Sequence, residues 1–309
     1  TAAFELAKRG HKVTIFEAFA KTGGMLRYGI PSYRLPDDIL DAEVQNILDL
    51  GVELKCNTRI GRDISFDEIR KQFDAVFLGL GAHKGSVMNI PGENSANVFT
   101  AASFLNRVNS GAKVEIGSQV IVIGGGDSAM DAARVALRLQ AELDAAEASG
   151  NADAYDQARE EVDRKAQHDE ETVSIEKTAL DSARSAIRVS KYSQVTVLYR
   201  RTKDEMPAIA KDVVEAEHEG IHFELLTAPV ELVTEGGRAT GVKCIRMELG
   251  APDSSGRRRP VPVAGSEFVI ACDTIIMGIG QVPELEQGME TLADKWGWLA
   301  GDKRFTTGT

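Results

Sequence analysis

A short segment in the middle of the chain, VIVIGGGDSAMDAA, constrains the fold more than any other part of the sequence. An apolar run typical of a buried strand ends at three glycines, and a long stretch of good helix formers follows. Gly124 permits the tight turn after the strand, Gly126 lets the backbone approach a pyrophosphate, and Ala129 lets the helix pack on the strand. The free N–H groups at the helix start, around Asp127 and Ser128, would hold phosphate oxygens. The segment predicts a dinucleotide-binding turn, against the simpler alternative of a tight strand-to-helix connection.

Two arginines follow the next predicted strand, VTVLY, at the position where an acidic residue normally binds an adenosine ribose. The guanidinium groups of Arg200 and Arg201 suit a 2'-phosphate instead, which favours NADPH over NADH. We expect Arg201 to make the larger contribution, because neighbouring side chains at a strand end point to opposite sides. The alternative is a pair of solvated surface arginines. Because the pair lies far beyond the roughly twenty residues expected after the glycines, the prediction requires an insertion between them.

A second dinucleotide site is indicated by Glu17, which closes the predicted strand KVTIF and would hold the ribose hydroxyls of FAD. A solvated glutamate at a strand end is the alternative. Three glycine clusters are assigned to the same site: Gly23 with Gly24, residues 79–81, and residues 278–281. Each follows a loop or an apolar strand, where the backbone must approach a flat or charged ligand closely.

The length and charge of the chain limit the remaining possibilities. Its 309 residues suggest two domains of ordinary size, and no apolar run approaches the roughly twenty residues that span a bilayer. A formal net charge of -11 argues against nonspecific nucleic-acid binding, which needs Lys and Arg to neutralise phosphates. Between residues 141 and 172, eleven Asp or Glu face only three Lys or Arg. We expect a protruding helical hairpin there, over about 141–190.

Three cysteines, Cys56, Cys244 and Cys272, are too few and too scattered for a disulfide framework or a zinc site. Without a CxxC motif, neither a dithiol redox centre nor an iron–sulfur cluster can be built from this chain alone. Each cysteine falls on a predicted strand, where a buried free thiol is expected. We therefore expect a reducing, cytoplasmic setting and no metal site in the chain.

Helices and strands alternate along the chain, which favours an α/β fold with a parallel sheet. The opening residues, TAAFELAKRGHKVTIFEA, are typical of the latter part of a helix followed by a strand. Because a Rossmann unit needs a strand and a glycine-rich turn before that helix, we expect the sequence to be part of a longer protein. The segment FDAVFLGLG, residues 73–81, predicts a fully buried strand, and residues 222–271 predict a β-meander.

A series of segments in chain order resembles the signature segments of the glutamate synthase small subunit. They are KTGGMLRYGIPSYRLP, DAVFLGLGAH, IPGEN, VIVIGGGDSAMDAAR, VLYRRTKDEMPA, LGAPDSSGRRRPVPVAGSEFVIACD and MGIGQVP. The resemblance covers nearly the whole chain except about 141–190. Similar families include the flavin half of dihydropyrimidine dehydrogenase and the large subunit of NADH-dependent ferredoxin:NADP reductase. The segment with GRRRP and AGSE leans towards glutamate synthase itself.

The resemblance implies two Rossmann-like domains, with an NADPH domain inserted into a discontinuous FAD domain. The FAD domain would comprise residues 1–100 and 270–309, both parts incomplete, and the NADPH domain residues 101–269. Two 4Fe-4S clusters would lie outside this segment and receive electrons from NADPH through FAD. Carried over residue by residue, the FAD contacts would be Glu17, Gly23, Gly24, Leu26, Gly81 and Gln281. The NADPH contacts would be Gly124, Gly126, Asp127, Ser128, Arg200 and Arg201.

The implied function is that of an electron-input subunit serving a large glutamate synthase-type partner, which makes glutamate from glutamine and 2-oxoglutarate. A related alternative serves ferredoxin or another multisubunit dehydrogenase. A further alternative is a structural subunit that has lost turnover, against which the intact phosphate turn and the arginine pair argue. Because hydride transfer between two cofactors asks little of side chains, we nominate no catalytic residue. His83, near the expected flavin, is interpreted as structural.

Overall fold

The computed structural model describes residues 1–149, 194–252, 256–285, 287–294 and 298–301. Contacts between Cα atoms divide them into two compact units. The first unit contains Thr1–Tyr28, Leu35–Lys84 and the described residues from Gln281 onward, and the second contains Gly29–Arg34 and the described residues of Gly85–Gly280. The first unit is therefore discontinuous, and the chain returns to it after completing the second.

The described part of the first unit has a two-stranded parallel sheet and four α-helices. Strand β1 (Thr14–Phe16) pairs with β2 (Glu53–Lys55). The helices are α1 (Ala2–Lys8), α2 (Met25–Tyr28), α3 (Asp37–Leu48) and α4 (Phe66–Gln72). Helix α4 begins with a capping box, in which the Ser65 hydroxyl accepts from the N–H of Glu68 and the Glu68 carboxylate accepts from the N–H of Ser65.

The apolar segment at residues 73–81 is not a strand, so the prediction of a buried strand there is wrong. No regular structure covers Asp74 to Leu80, and the Phe77 side chain is 73% exposed. A buried strand needs hydrogen-bonding partners on its flanks. Among the described residues of the first unit, no strand pairs with this segment. The segment has the composition of a strand, but a hydrophobic pattern does not ensure that a second strand is present to pair with it.

The second unit is built on a five-stranded parallel sheet with the order β4-β12-β5-β6-β7. Its strands are β4 (Val98–Thr100), β5 (Gln119–Ile123), β6 (Gln194–Tyr199), β7 (His222–Leu225) and β12 (Thr274–Met277). Its helices are α5 (Ala101–Asn109), α6 (Asp127–Ser149) and α7 (Ala210–His218). Side chains from the sheet and the helices share one core, in which Val122, Val197 and Ala133 are fully buried.

A four-stranded antiparallel sheet extends the second unit. It is formed by β8 (Thr227–Glu235), β9 (Arg238–Pro252), β10 (Arg258–Pro262) and β11 (Phe268–Ala271), all three others pairing with β9. The predicted β-meander is wrong except for the consecutive antiparallel strands β8, β9 and β10, because β7 pairs in parallel with β6 and β11 pairs with β9 instead of β10. Two short strands, β3 (Lys84–Gly85) and β13 (Gln281–Val282), also pair with each other.

A buried ion cluster joins α6 to the end of α7. Arg134 donates from Nε and Nη2 to the Glu219 carboxylate at 2.7–3.1 Å, and Arg138 donates to the same carboxylate at 3.1 Å. Burial alone would raise the pKa of Glu219, but Arg138 and Arg134 outweigh burial and lower it. The Tyr33 ring lies 4.1 Å from the Arg138 guanidinium and 5.0 Å from that of Arg134. The cluster thus fixes α6 in the unit.

The short segment Gly29–Arg34 belongs to the second unit although its neighbours in sequence belong to the first. Tyr33 is 3% exposed. Arg34 forms ion pairs with Asp131 of α6 at 2.6 Å and with Asp212 of α7 at 3.0 Å. Burial raises the pKa of Tyr33 above its usual range. These contacts anchor the segment by one aromatic ring and one guanidinium.

The observed units differ in extent from the predicted domains. The described residues of 85–100 and 270–280 lie in the second unit because β4 and β12 hydrogen-bond into its sheet. Helix α6 continues without a break through Ser149, into the region predicted as an insertion. The rest of the predicted hairpin, residues 150–190, lies outside the described residues. Within the described part of the chain, no helix combines the length and apolar character needed to cross a membrane.

Candidate cofactor-binding sites

The glycine turn of the second unit lies where the strand order of the parallel sheet reverses. From β5 the chain proceeds to β6 and β7 on one side, whereas β12 and β4 lie on the other. In open parallel sheets, ligands bind beyond the carboxyl ends of the strands at such a switch point. Residues 124–126 follow β5 and residues 278–280 follow β12, so both glycine segments reach this edge.

The three glycines after β5 have different surroundings. Gly124 has a φ of 147°, and a Cβ there would collide with the carbonyl group of Gly278. A Cβ on Gly125 would collide with the ring of Tyr199, at the end of β6. By contrast, a Cβ on Gly126 would meet no atom closer than 3.9 Å. The first two glycines close the turn, and the third leaves open space at the start of α6, as a bound pyrophosphate requires.

The contact between α6 and the sheet also follows the predicted pattern. Ala129 is fully buried, and a Cβ on Gly278 would lie 2.7 Å from the Cβ of Ala129. Gly278 therefore packs against the glycine turn of the second unit, whereas we had grouped residues 278–281 with the FAD site. Of that group, only Gln281 belongs to the first unit.

Asp127 and Ser128 occupy the first two positions of α6, as predicted. The Asp127 carboxylate accepts a hydrogen bond of 2.9 Å from the N–H of Ile209, just before α7. Asp127 is exposed and Ser128 is half-buried. Asp127 thus ties the loop before α7 to the glycine turn. This hydrogen bond shapes the opening around the N–H groups of α6, whose first turn carries the positive end of the helix dipole.

Arg200 and Arg201 have contrasting environments. Both follow β6, whose end lies beside the glycine turn, since the N–H of Gly124 donates to the carbonyl of Leu198 at 3.0 Å. Arg200 is exposed, whereas Arg201 is 5% exposed. The Nε–H of Arg201 donates to the carbonyl oxygen of Arg258 at 2.7 Å. Arg200 is therefore better placed than Arg201 to receive a ligand from solvent, the reverse of our expectation.

In the first unit, contacts gather three of the predicted flavin-site elements around Phe19. The Glu17 carboxylate accepts a 2.9 Å hydrogen bond from the N–H of Phe19, which fixes the turn after β1. The Phe19 ring lies 5.9 Å from the His83 ring, between centroids. A Cβ on Gly81, which has a φ of 68°, would lie 3.4 Å from Nε2 of His83. His83 therefore packs against Phe19, in line with a structural role.

The turn at Gly23 and Gly24 is held from behind by a buried arginine. Arg27 is 5% exposed, its Nε–H donates to the carbonyl of Thr22 at 2.6 Å, and its guanidinium pairs with Asp37 and Asp41 of α3. A Cβ on Gly23 would crowd the side chains of Arg27 and α3, whereas a Cβ on Gly24 would meet nothing within 4 Å. Leu26 is 48% exposed. The turn is thus packed on one side and open on the other.

Gln281 carries an unsatisfied buried group. Its side-chain Nε2 is buried and has no hydrogen-bond partner among the described residues. An unpaired buried amide costs free energy, about 1–3 kcal/mol. Such a group is a candidate donor to a ligand, and it lies in the same unit as the other five predicted FAD contacts. All six predicted NADPH contacts lie in the second unit.

Comparison with known proteins identifies the family. The family described as pyridine nucleotide-disulphide oxidoreductase matches residues 1–309. The chain belongs to this family. It is thus an oxidoreductase-family chain, as the motifs predicted.

Curated relatives at different levels of sequence identity are named as subunits of different enzymes. The chain is 39% identical to an NADP(+)-dependent formate dehydrogenase subunit beta of Moorella thermoacetica, over 92% of the chain and 34% of that protein. It is 38% identical to an NADPH-Fe(3+) oxidoreductase subunit beta of Geobacter sulfurreducens, over 92% of the chain and 35% of that protein. It is 30% identical to the glutamate synthase [NADPH] small chain of Escherichia coli, over 93% and 52%. The chain thus spans about a third to a half of these relatives, and the resemblance to the glutamate synthase small subunit is confirmed.

A solved structure shows the same fold. FprA from Mycobacterium tuberculosis, in complex with NADPH, matches with a TM-score of 0.66 at 17% identity, over 93% of this chain and 69% of that chain. The predicted α/β class with two Rossmann-like units is confirmed. At this identity the likeness concerns the fold alone.

All three cysteines of the chain are free thiols. Burial raises the pKa of both Cys244 and Cys272 to about 12. Cys244 lies on β9 as predicted, but Cys272 lies in the turn before β12. Cys56 follows β2 and is half-buried, so its prediction as a buried strand residue is wrong. Among the described residues, no cluster of His, Cys, Asp and Glu could hold a metal ion.

Two features of the second unit were missed by sequence reasoning. The first is the anchoring of Tyr33 and Arg34 on α6, although both belong to the quoted motif GIPSYRLP. The second is the hydrogen bond between Arg201 and Arg258. The run GRRRP, which contains Arg258, was the sequence signal for this hydrogen bond, but we interpreted it only as part of the resemblance to the glutamate synthase small subunit.

Proposed function

We propose that the chain is the NADPH- and FAD-binding part of an electron-input subunit, which oxidises NADPH and passes electrons through FAD to iron–sulfur clusters outside this segment. One observation carries the proposal. The glycine turn lies at the switch point of the parallel sheet, Gly126 is uncovered, and an exposed arginine ends the adjacent strand. Intact cofactor turns disfavour a purely structural subunit.

The residues of the second unit fit NADPH. Gly126 and the N–H groups of Asp127 and Ser128 would hold the pyrophosphate, and Gly124 would shape the turn. Arg200 would bind the 2'-phosphate. The Arg201 guanidinium is engaged by a backbone carbonyl, so we now assign it to the support of this site.

The residues of the first unit fit part of an FAD site. The Glu17 carboxylate would accept from the ribose hydroxyls, and Gly24 would let the backbone approach the ligand. Gln281 would donate its otherwise unpaired amide, and Gly23, Leu26 and Gly81 would line the site. The predicted arrangement, an NADPH domain inserted into a discontinuous FAD domain, remains part of the proposal. Its predicted bounds, 1–100 with 270–309 and 101–269, are shifted so that β4 and β12 fall in the NADPH domain.

The protein's task is to hold and align its two ligands. When bound, NADPH would supply hydride-transfer chemistry and FAD would supply the change from two-electron to one-electron transfer, so the reactive chemistry would belong to the cofactors. The side chains would bind phosphates and orient the ribose groups. We assign no side chain as a catalytic acid or base. Buried anchors such as Arg27 and Arg134 keep the binding turns rigid, which reduces the ordering cost of binding.

The proposal includes a partner subunit. The relatives compared above are named as subunits, or as a small chain, of larger enzymes, which supports a partner subunit for this chain too. Our first choice from the motifs was a large glutamate synthase-type subunit. The higher identity to the two beta subunits supports the alternative, another multisubunit oxidoreductase. We retain a cytoplasmic location as a proposal.

Purification of the full-length protein with its partners tests the proposal. We expect a yellow flavoprotein whose flavin absorbance is bleached by NADPH under anaerobic conditions, without added metal. A protein that cannot be reconstituted with FAD would overturn the assignment. Mass spectrometry of co-purifying chains distinguishes a glutamine amidotransferase-type partner from a formate dehydrogenase-type partner.

A further inference from the structure

The end of β6 and the start of β10 are joined by one buried arginine. Arg201 is 5% exposed, and its Nε–H donates to the carbonyl oxygen of Arg258 at 2.7 Å. Arg258 is the first residue of β10. Because this hydrogen bond involves a charged donor that is shielded from water, it is a strong connection. It brings the GRRRP segment next to the end of β6, although the two are far apart in sequence.

The side chain of Arg258 also forms hydrogen bonds with backbone carbonyl groups. It donates to the carbonyls of Leu249 and Gly250 on β9, at 2.6 and 3.4 Å. The pairing of β9 with β10 shifts register between Arg258 and Pro260, and such an irregularity leaves carbonyl groups without ladder partners. Arg201 and Arg258 therefore both serve to hold the local structure together.

The residues next to them in sequence, Arg200 and Arg259, are instead exposed to solvent. No hydrogen bond or ion pair joins the side chain of either to another described residue. The hydrogen bond between Arg201 and Arg258 brings the backbone at Arg200 close to the backbone at Arg259. Two guanidinium groups that approach each other without an acidic partner repel one another unless an anion lies between them.

The position of this pair indicates which anion. Arg200 follows β6, whose end is hydrogen-bonded to the glycine turn through Leu198 and Gly124 at 3.0 Å. In a dinucleotide-binding unit, the adenosine ribose lies at the end of this strand. A 2'-phosphate there carries up to two negative charges and three terminal oxygens, which exceeds what one guanidinium fork can pair.

We propose that Arg259 is a second ligand of the adenosine 2'-phosphate, together with Arg200, and that Arg201 is a positioning residue that carries β10 to the site. This rests on the proposed binding of NADPH at the glycine turn. Arg259 binds the oxygen atoms that Arg200 leaves unpaired. Arg201 acts through the backbone of Arg258 and does not touch the phosphate.

Binding of 2',5'-ADP and of 5'-AMP, measured by calorimetry, tests the assignment without relying on turnover. The two ligands differ only in the 2'-phosphate. In Arg259→Ala we expect the affinity for 2',5'-ADP to fall about tenfold, the equivalent of one charge-assisted hydrogen bond, with 5'-AMP binding unchanged. Arg238→Ala is the matched control, since it removes an exposed arginine at the opposite end of β9. It should leave both affinities unchanged.

The positioning role of Arg201 has its own test. Arg201→Met should reduce the preference for 2',5'-ADP over 5'-AMP about as much as Arg259→Ala does, and Arg201→Lys should restore part of it by donating to the Arg258 carbonyl. If Arg259→Ala behaves like Arg238→Ala while Arg200→Ala loses the preference, the inference is wrong and NADPH binding stands. If the unmodified protein binds 2',5'-ADP no better than 5'-AMP, the proposed NADPH specificity itself fails.

Discussion

The carbonyl oxygen of Gly278 occupies the space that a Cβ atom on Gly124 would need, so the loops after β12 and β5 are in direct contact. Backbone against backbone leaves no side chain that could move aside. The same loop approaches Ala129 of α6, which is fully buried. The switch point of the sheet is therefore closed by packing on the Gly124 side and open at Gly126. Gly124 therefore shapes the turn, whereas Gly126 leaves space for a ligand.

We expect Gly126→Ala to weaken NADPH binding without destabilising the protein. The new methyl group would meet no protein atom closer than 3.9 Å, so the fold accommodates it. It would instead occupy the space through which a pyrophosphate approaches the backbone. The Michaelis constant for NADPH should rise at least about tenfold, a loss of about 1.4 kcal/mol. Steady-state kinetics and thermal unfolding of the same preparation measure both effects.

Gly124→Ala provides the contrasting control. Here the Cβ collides with the Gly278 carbonyl, and the φ of 147° is unfavourable for alanine. This variant should unfold at a clearly lower temperature or fail to fold. If Gly126→Ala is equally unstable, the distinction between the two glycines is incorrect.

These two glycines also show how much the sequence could predict. The strand, turn and helix from Gln119 onward are encoded by local periodicity and glycine chemistry, so their positions were predicted correctly. The hydrogen-bond partner of Arg201 was not predicted, because Arg258 is distant in sequence and is brought to Arg201 by the fold of the antiparallel sheet. Residues 73–81 were misassigned for a related reason. An apolar run specifies burial or strand only when a neighbouring strand exists, and the sequence does not reveal that neighbour.

Gln281→Leu should separate flavin binding from protein stability. The Gln281 Nε2 is buried without a partner, so its removal relieves a desolvation cost in the protein without bound FAD. The flavin-free variant should be as stable as the unmodified protein or more so, whereas FAD affinity should fall about tenfold if the amide donates to the flavin. Fluorescence titration of flavin-free protein measures the affinity. A drop in stability with unchanged affinity would show that the amide has a protein partner instead.

The three thiols should react at very different rates in the native protein. Burial raises the pKa of Cys244 and Cys272 to about 12, so at pH 8 only about one in ten thousand of either is the reactive thiolate. Cys56 is half-buried, and its pKa is raised by burial and by Glu17. Iodoacetamide labelling followed by peptide mass spectrometry should modify Cys56 first. Rapid labelling of Cys272 in folded protein would contradict its buried position.

Glu219→Gln should be strongly destabilising, since the Glu219 carboxylate is shared by Arg134 and Arg138. The variant removes this counter-charge from two largely buried guanidinium groups, of which Arg134 keeps its ion pair with Glu215 at 3.2 Å. Breaking a buried ion pair costs about 3–5 kcal/mol, and we expect about 3 kcal/mol because the Glu219 side chain keeps 18% exposure. Glu217→Gln, on the same part of the chain, breaks only the surface pair with Lys203 and should cost less than about 1 kcal/mol.

The pH dependence of this difference gives a second, independent check. The arginines lower the pKa of Glu219 below its ordinary value of 4.5, so the unfolded chain takes up the proton first as the pH falls. The stabilisation by the carboxylate is therefore complete well above pH 4.5 and is lost as the pH falls through the lower pKa of the folded protein. Denaturant unfolding of the two proteins should show a constant gap at neutral pH that narrows below about pH 4.5. A gap that is already closing at pH 6 would mean that burial, rather than Arg138 and Arg134, controls this carboxylate.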